Sequence, residues 1–294
     1  MPLPDRTIGD ALLDGARRLR AAESPTARLD AEVLLAHVMG SERSWLLAHS
    51  DEPLAAADDF EAVLARRAGG EPVAYIRGFK EWRSLRIRTD ARALIPRPET
   101  ELLAEAAIAE IAGRLARDGA PVVAWEVATG SGAVSVVLAL RFRQSLSLGR
   151  LSLIASDVSP DALELAAENL AAHGVEPLVS LACADLLAPA GGSVPAPDVV
   201  VANLPYVSSD EVDAHRGSLG HEPRIALDGG PDGLDLLRRL LSDVTVRAAR
   251  GAAVLLEIGV DQVDAIRALA PDGATVSIVP DLAGLDRVVR VQLR

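Results

Sequence analysis

The sequence contains few of the residues on which several classes of protein depend. Of its 294 residues, one is a cysteine, one is a lysine and 3% are aromatic. The single cysteine, Cys183, excludes an intramolecular disulfide and a zinc site built from cysteines, and it favours a reducing compartment. No apolar run approaches the roughly 18 residues of a membrane-spanning helix, and the first residues lack the basic segment and apolar stretch of a signal peptide. We therefore expect a cytoplasmic protein that does not bind membranes.

Acidic residues outnumber basic ones. The chain has 42 Asp and Glu against 30 Lys and Arg, which gives a formal net charge of −12. Because nucleic-acid affinity depends mainly on Lys and Arg neutralising phosphates, we do not expect direct nucleic-acid binding. One segment differs: between Arg77 and Arg97, seven basic residues accompany two acidic ones. This segment is interpreted either as a charged hairpin edge that resists aggregation or as a contact surface for an acidic protein partner.

The hydrophobic pattern divides the chain into three parts, in keeping with about two domains for this length. Up to residue 71, apolar residues recur at helical spacing, which predicts a small all-α domain. Residues 72–97 contain two short strand-like runs, 73–76 and 85–88, and are predicted to form a β-hairpin linker. Residues 98–294 alternate helices and strands, which is typical of an α/β fold with a mostly parallel sheet covered by helices on both faces. The predicted strands of this part are 122–127, 151–155, 179–182, 199–202, 252–258, 275–279 and 288–293.

A glycine-containing loop follows the first predicted strand of the α/β part. Residues 126–132 read Glu-Val-Ala-Thr-Gly-Ser-Gly and lead into a predicted helix. Gly130 and Gly132 allow the backbone to approach a nucleotide-like ligand, and the helix N-terminus offers free N–H groups. A dinucleotide fingerprint requires a third small glycine where Ser135 stands, which disfavours NAD. The alternative is a tight turn that simply requires glycine.

Acidic residues follow the next two predicted strands. Asp157 ends the second strand, where a carboxylate can accept hydrogen bonds from ribose hydroxyls. An ordinary acidic residue at a helix start is the alternative. Asp185 and Leu186 follow the third strand, where they could meet an adenine ring. The glycine-containing loop and the two acidic positions lie at the ends of three successive strands. Together they indicate a nucleoside-binding site more specifically than any one of them does alone.

The fourth predicted strand ends in the sequence Asn-Leu-Pro-Tyr. The Asn203 side chain can accept a hydrogen bond through its oxygen, at the sheet edge where ligands bind. Pro205 stiffens the turn and biases Leu204 away from helix, so that the Leu204 carbonyl can point into a cleft. Tyr206 adds a flat aromatic face. An Asx turn before a proline is the alternative.

With these motifs the chain resembles the class I S-adenosylmethionine-dependent methyltransferases and, more narrowly, the release-factor glutamine N5-methyltransferases (the PrmC/HemK family). The most particular stretches are Ile-Pro-Arg-Pro-Glu-Thr at 95–100 and Glu-Pro-Arg with Gly-Gly-Pro-Asp-Gly at 222–233. The resemblance rests on residues 27–35, 70–76, 94–101, 129–132, 203–206, 222–227 and 229–233. Three positions depart from the family pattern: Glu126 and Ala128 replace Asp and Gly in the loop, and Leu204 replaces the first proline of Asn-Pro-Pro-Tyr. Asn-Leu-Pro-Tyr also resembles the motif of adenine dimethyltransferases that act on ribosomal RNA.

The resemblance implies a class I, Rossmann-like sheet of seven strands, mostly parallel with the last strand antiparallel, behind a helical substrate-binding domain. It implies methyl transfer from S-adenosylmethionine, with S-adenosylhomocysteine as the product, to the side-chain amide nitrogen of a glutamine in the GGQ loop of release factors. The implied cofactor-binding residues are Glu126, Ala128, Thr129, Gly130, Ser131, Gly132, Asp157, Asp185, Leu186 and Asn203. The implied catalytic residues are Asn203, Leu204, Pro205 and Tyr206.

The sequence is also compatible with other functions. The nearest alternative is an N6-adenine methyltransferase that acts on RNA or DNA, and a non-catalytic cofactor-binding protein is a further one. We expect a monomer, with peptide chain release factors as its partners. We expect no metal site, because the five histidines share no metal-like spacing.

Overall fold

The computed structural model describes residues 6–117, 119–189, 194–214, 218–281 and 283–294. These residues separate into two compact units. The first comprises the chain up to Phe79 together with the described part of 215–221, and the second comprises 80–214 and 222–294. Among the described residues, no helix is both long enough and apolar enough to cross a bilayer.

The first unit is helical, as predicted. A capping box starts its first helix: the Thr7 hydroxyl accepts a hydrogen bond from the backbone N–H of Asp10, and the Asp10 carboxylate accepts one from the Thr7 N–H. Its core contains fully buried Leu34 and Phe60. The helices are α1 (Ile8–Ala21), α2 (Ala27–Met39), α3 (Arg43–Ala48), α4 (Ala57–Ala68) and α5 (Val73–Arg77).

The strand predicted at residues 73–76 is wrong, because these residues lie in helix α5. Pro72 has a φ of −58°, which suits the start of a helix, and Gly78 ends the helix with a φ of +74°. The hairpin forms immediately afterwards, from β1 (Phe79–Trp82) and β2 (Leu85–Arg88). Arg83 and Ser84 between the strands both have positive φ, as a two-residue type I′ turn requires.

Much of the positive charge in the segment from Arg77 to Arg97 is offset within the second unit. Arg83 pairs with Glu105, and Arg97 pairs with Glu222. Glu168 pairs with both Arg88 and Arg92, at 2.7 and 2.9 Å. Four of the seven basic side chains thus have acidic partners in their own unit, which weakens the interpretation of this segment as a contact surface for an acidic protein.

The second unit contains an α/β sheet with helices on both faces. Its strands are β3 (Val122–Val127), β4 (Leu151–Asp157), β5 (Val179–Asp185), β6 (Ala188–Pro189), β7 (Val199–Ala202), β8 (Ala253–Glu257), β9 (Thr275–Pro280) and β10 (Asp286–Gln292). Its helices are α6 (Thr100–Leu115), α7 (Ala133–Arg141), α8 (Arg143–Ser147), α9 (Pro160–Ala172), α10 (Ser209–Ala214), α11 (Asp235–Arg247) and α12 (Val263–Leu269).

The sheet confirms the predicted topology. Its strand order is β6-β5-β4-β3-β7-β8-β10-β9. The seven predicted strands are all present, and the last one, β10, runs antiparallel to both β8 and β9. The two-residue strand β6 is an addition that pairs antiparallel with β5. The strand order reverses beside β3, which is paired with β4 on one side and β7 on the other, and ligands bind at such switch points.

Side chains of the central strands alternate between two apolar layers. Val199, Val201 and Leu255 pack on one face, in the cluster that includes Leu103 of α6. Val200, Ala202, Val254 and Leu256 pack on the other face, with residues of α11 and α12. Side chains continue to alternate between the two faces at the ends of the strands. The alternation therefore determines the face of the sheet on which each polar residue at a strand end lies.

Candidate functional site

A cavity of about 340 Å³ opens at the carboxyl ends of the parallel strands β3, β4, β5 and β7. This volume is within the range of small-molecule sites. The walls are formed by the loop after β3, the ends of β4 and β5, the residues after β7, and the segments 92–100 and 223–226. The cavity belongs entirely to the second unit.

The loop after β3 is held close to the end of β4. The Thr129 N–H donates a hydrogen bond to the Ser156 carbonyl at 2.8 Å, and the Gly130 N–H donates one to the Asp157 carboxylate at 2.9 Å. Ala128 has a φ of +55°, a left-handed conformation that costs roughly 1–2 kcal/mol for a residue with a side chain. The alanine that departs from the family pattern therefore adopts the backbone that glycine would favour, and it still lines the cavity.

Gly132 supports the loop instead of lining the cavity. Its φ is +76°, and a Cβ atom there would lie 3.0 Å from the Cβ and 3.1 Å from the Cα of Ala166 on α9. The absence of a side chain therefore allows the start of α7 to approach α9. The other predicted loop residues, Glu126, Ala128, Thr129, Gly130 and Ser131, all line the cavity.

We expect Gly132→Ala to lower the free energy of unfolding of the second unit by about 2–3 kcal/mol, because it combines left-handed strain with overpacking. Gly174→Ala is the matched control: its φ is +63°, but a Cβ there would meet nothing within 4 Å, so strain alone costs about 1 kcal/mol. Urea unfolding, followed through the buried Trp82 and Trp125 of this unit, measures both changes. Equal decreases in the free energy of unfolding for the two variants would show that Ala166 does not restrict a side chain at residue 132.

Glu126 at the end of β3 has an unusual carboxyl group. The side chain is buried, and the Ser135 hydroxyl donates a hydrogen bond to it. Burial is the main reason that the pKa of Glu126 rises to about 7 from an ordinary 4.5, with the nearby charge of Asp157 acting in the same direction. Ser135, which disfavoured a dinucleotide fingerprint, thus serves as a partner of this carboxyl.

The raised pKa of Glu126 predicts a pH-dependent stability. The unfolded chain loses the proton near pH 4.5 and the folded chain near pH 7, so folding is progressively weakened as the pH rises through this interval. We expect Glu126→Gln to raise the free energy of unfolding at about pH 8 by about 3 kcal/mol, with little change at about pH 4.5. Urea unfolding of both proteins at the two pH values checks this expectation. An equal effect at both pH values would contradict the raised pKa.

The acidic residues at the ends of β4 and β5 both line the cavity. The Asp157 carboxylate accepts hydrogen bonds from the Gly130 N–H at 2.9 Å and the Ser159 N–H at 3.0 Å, while burial raises its pKa. Asp185, about half exposed, forms an ion pair of 2.6 Å with Arg239 of α11. Leu186 is buried beside it with a φ of +54°.

Three of the four residues predicted as catalytic line the cavity: Asn203, Leu204 and Pro205. Asn203 donates a hydrogen bond through Nδ2 to the Thr100 hydroxyl at 3.2 Å. The Leu204 side chain packs into the apolar core. Tyr206 is not part of the lining. Its carbonyl accepts a hydrogen bond from Gln262, and burial together with nearby Glu257 raises the pKa of its phenol to about 12.

Sequence reasoning assigned no role to several residues of the site. The Glu222 carboxylate is buried and accepts hydrogen bonds from the Ile95 N–H and from Arg97, so it joins the two stretches that carried the family resemblance. Thr100 and Glu257 adjoin Asn203, and Glu257 is only 1% exposed. Glu257 ends β8. It is therefore a polar residue at a strand end, the same pattern that identifies Asp157 and Asn203 in the sequence. The described residues contain no group of three or more side chains suited to hold a metal ion.

Comparison with known proteins decides the family. The chain is 38% identical over 289 residues to the release factor glutamine methyltransferase of Moorella thermoacetica, covering 96% of each chain. It is also 38% identical to the protein of that name from Cereibacter sphaeroides, covering 97% of this chain and 98% of that one. The chain belongs to the release factor glutamine methyltransferase family. The resemblance expected from the sequence is thereby confirmed.

Two further comparisons concern the N-terminal part of the chain and the fold. The family model for the PrmC N-terminal domain matches residues 10–78. The crystal structure of the hMettl16 catalytic domain in complex with MAT2A 3'UTR hairpin 6 aligns with a TM-score of 0.51 at 13% identity, covering 79% of this chain and 82% of that one. At this identity the likeness concerns the fold alone, which is that of a class I methyltransferase.

Proposed function

We propose that this chain transfers a methyl group from S-adenosylmethionine to the side-chain amide nitrogen of a glutamine in the GGQ loop of peptide chain release factors. The observation that carries the proposal is the placement of Asn203 and Leu204 in the wall of the same cavity as the glycine-containing loop. Membership of the release factor glutamine methyltransferase family supports the choice of acceptor.

The residues of the cavity fit the proposed cofactor. Gly130 leaves room for a close approach, since a Cβ there would have Ala93 as its nearest neighbour, at 3.8 Å. Asp157 would hold the ribose hydroxyls, and Asp185 and Leu186 would lie beside the adenine. S-adenosylmethionine, when bound, supplies a methyl group on a positively charged sulfur that is already activated for transfer. The buried carboxyl of Glu126 and the backbone of the loop would complete this side of the site.

The acceptor side of the site needs orientation more than a strong base. An amide nitrogen is a weak nucleophile because its lone pair is delocalised into the carbonyl group. We assign the Asn203 Oδ1 atom and the Leu204 carbonyl as acceptors for its two N–H bonds, which would fix the nitrogen in line with the methyl group. Such positioning can supply roughly 7–11 kcal/mol of a barrier. Formation of the nitrogen–carbon bond would break the sulfur–methyl bond, with S-adenosylhomocysteine as the other product, and one amide hydrogen would be released to solvent as a proton.

The departure at Leu204 is compatible with this role. The proposed chemistry uses a backbone carbonyl, and the leucine side chain is accommodated in the core. Pro205 stiffens the turn that presents this carbonyl. Tyr206 lies outside the cavity lining. We therefore propose that it stabilises this turn, because its carbonyl accepts a hydrogen bond from Gln262.

The remaining assignments also belong to the proposal. Residues 1–71 and the linker 72–97 would recognise the release factor, and residues 98–294 would carry the reaction. The end of the linker, from Arg92 to Arg97, also lines the cavity. The protein would act as a monomer in the cytoplasm without binding nucleic acid directly. The offset charge of the basic segment and the net charge of −12 disfavour the alternative, an N6-adenine methyltransferase acting on RNA or DNA.

A labelling experiment tests the proposed function. The full chain is incubated with methyl-labelled S-adenosylmethionine and, in separate reactions, with a release factor, with RNA and with DNA. We expect label in the release factor alone. Label in a nucleic acid with none in the protein would establish the alternative.

A further inference from the structure

Glu257 lies beside Asn203 because of the strand register. Strands β7 and β8 are parallel, and Ala202 lies opposite Leu256, so the next pair along is Asn203 and Glu257. Val201 and Leu255, two residues before each of them, pack on the face of the sheet that α6 covers. The Asn203 and Glu257 side chains therefore leave the sheet on that same face.

Thr100, in the first turn of α6, completes a group of three polar side chains. Asn203 donates a hydrogen bond through Nδ2 to the Thr100 hydroxyl at 3.2 Å, and both Thr100 and Asn203 interact with the Glu257 carboxyl closely enough to lower its pKa. Neither carboxyl oxygen makes a well-aligned hydrogen bond to a described residue. Hydrogen bonds in active sites are commonly loose before substrate binds and tighten afterwards.

The charge of Glu257 depends on pH near neutrality. Burial and the nearby charge of Glu99 raise the pKa of Glu257 to about 7, although Arg287, Thr100 and Asn203 act in the opposite direction. An ionised carboxyl only accepts hydrogen bonds, whereas a protonated one also donates. Protonation therefore gives this buried carboxyl a hydrogen-bond donor that the ionised form lacks.

The direction of the Asn203 amide decides whether the site can hold its acceptor. An asparagine side chain has a donor end and an acceptor end, and the proposed function needs the acceptor end toward the substrate. An ionised Glu257 can accept the hydrogen of the Thr100 hydroxyl, and the Thr100 oxygen is then left to accept from Asn203 Nδ2, as it does at 3.2 Å. A protonated Glu257 can donate to the Thr100 oxygen instead and so compete with Asn203.

We propose that Glu257 is a positioning residue that acts through Thr100 to hold the Asn203 amide with its nitrogen toward the protein and its oxygen toward the substrate. This inference rests on the proposed function and adds a residue to it. Glu257 does not line the cavity, so it would affect catalysis without touching the substrate.

Glu257→Gln tests the inference, with Glu110→Gln as the matched control. Glutamine has nearly the same shape, but it both donates and accepts, so it no longer sets the direction of the amide. We expect kcat for the release factor to fall on the order of ten- to a hundredfold at about pH 8, with the Kd for S-adenosylmethionine unchanged. Glu110 is also a buried glutamate, which pairs with Arg114 and Arg290 outside the cavity lining, and its variant should retain the wild-type kcat.

The pH profile separates positioning from a merely structural role. The wild-type rate should rise with pH through about 7, and this rise should be absent in Glu257→Gln but present in Glu110→Gln. Glu126 titrates in the same range, so Glu126→Gln is measured alongside. A rise that persists in Glu257→Gln and disappears in Glu126→Gln would overturn the inference.

A double-mutant cycle with Thr100→Val tests the route through Thr100. If Glu257 acts through the hydroxyl, the double variant should be no slower than the slower of the two single variants. Losses that simply multiply would contradict the route. If the wild-type protein labels adenine instead of glutamine, the proposed function fails. The cycle still tests the positioning of Asn203 in that case, because an adenine amino group also presents two N–H bonds.

Discussion

Replacing Asn203 with alanine is expected to lower the rate of methyl transfer to a release factor on the order of 10²- to 10³-fold. The alanine variant lacks the side-chain oxygen assigned to one N–H of the acceptor amide, so the nitrogen is no longer held in line. A single well-placed hydrogen-bonding group in a closed site commonly has an effect of this size. Single-turnover kinetics with saturating S-adenosylmethionine measures the change in the transfer step itself.

Two controls make the Asn203 result interpretable. The Kd for S-adenosylmethionine should change little, because the loop after β3, Asp157 and Asp185 supply most of the proposed cofactor contacts. Asn203→Asp keeps an acceptor oxygen but loses the donor to Thr100, so its rate should lie between those of the wild type and the alanine variant. Transfer near the wild-type rate in Asn203→Ala, with cofactor bound, would contradict the assigned role.

Replacing Asp30 with alanine is expected to destabilise the helical unit by about 3–5 kcal/mol. Asp30 is buried and pairs with the buried Arg67 at 2.7 Å. It also accepts hydrogen bonds from the hydroxyls of Ser24 and Thr26 at 2.7 and 2.8 Å. Its removal leaves a largely buried guanidinium group without its carboxylate, which is costly. Hydrogen exchange of the α2 amides in the full chain measures the loss.

An exposed ion pair of the same unit provides the control for Asp30. Arg17 pairs with Asp14 at 2.5 Å, but its side chain is 78% exposed, so Arg17→Ala should cost less than about 1 kcal/mol. Replacing both Asp30 and Arg67 with apolar residues should restore much of the stability, because no buried charge then lacks a partner. Similar exchange rates in Asp30→Ala and Arg17→Ala would show that burial of the pair contributes little.

The sequence predicted the sheet and one edge of the site well for a common reason. Buried parallel strands are short apolar runs between helices, and polar residues at their carboxyl ends meet at one edge of the sheet. Asp157 and Asn203 were identified in this way, and both line the cavity. The strand at residues 73–76 was wrong because a run of four apolar residues does not distinguish a strand from a short helix. Pro72 and Gly78, which flank this run, are typical of the two ends of a helix.

Contacts between distant residues were not visible in the sequence. Glu222 holds the backbone of Ile95, 127 positions away, and no local pattern indicates such a pair. Glu257 belongs to an apolar run that predicts a strand, and its position at the strand end is equivalent to that of Asn203. Tyr206 was predicted from its neighbours in the motif, but the backbone after Pro205 carries it out of the cavity lining.

Mass-spectrometric localisation of the transferred methyl group tests the central claim most directly. The full chain, a release factor and S-adenosylmethionine are incubated together, and the release factor is then digested and its fragments are sequenced. The account predicts one additional methyl group on the side-chain amide of the glutamine in the GGQ loop, and on the order of a hundredth or less of that amount in the same time with Asn203→Ala. A methyl group on another residue type, or an unmodified release factor beside methylated RNA, would contradict the account.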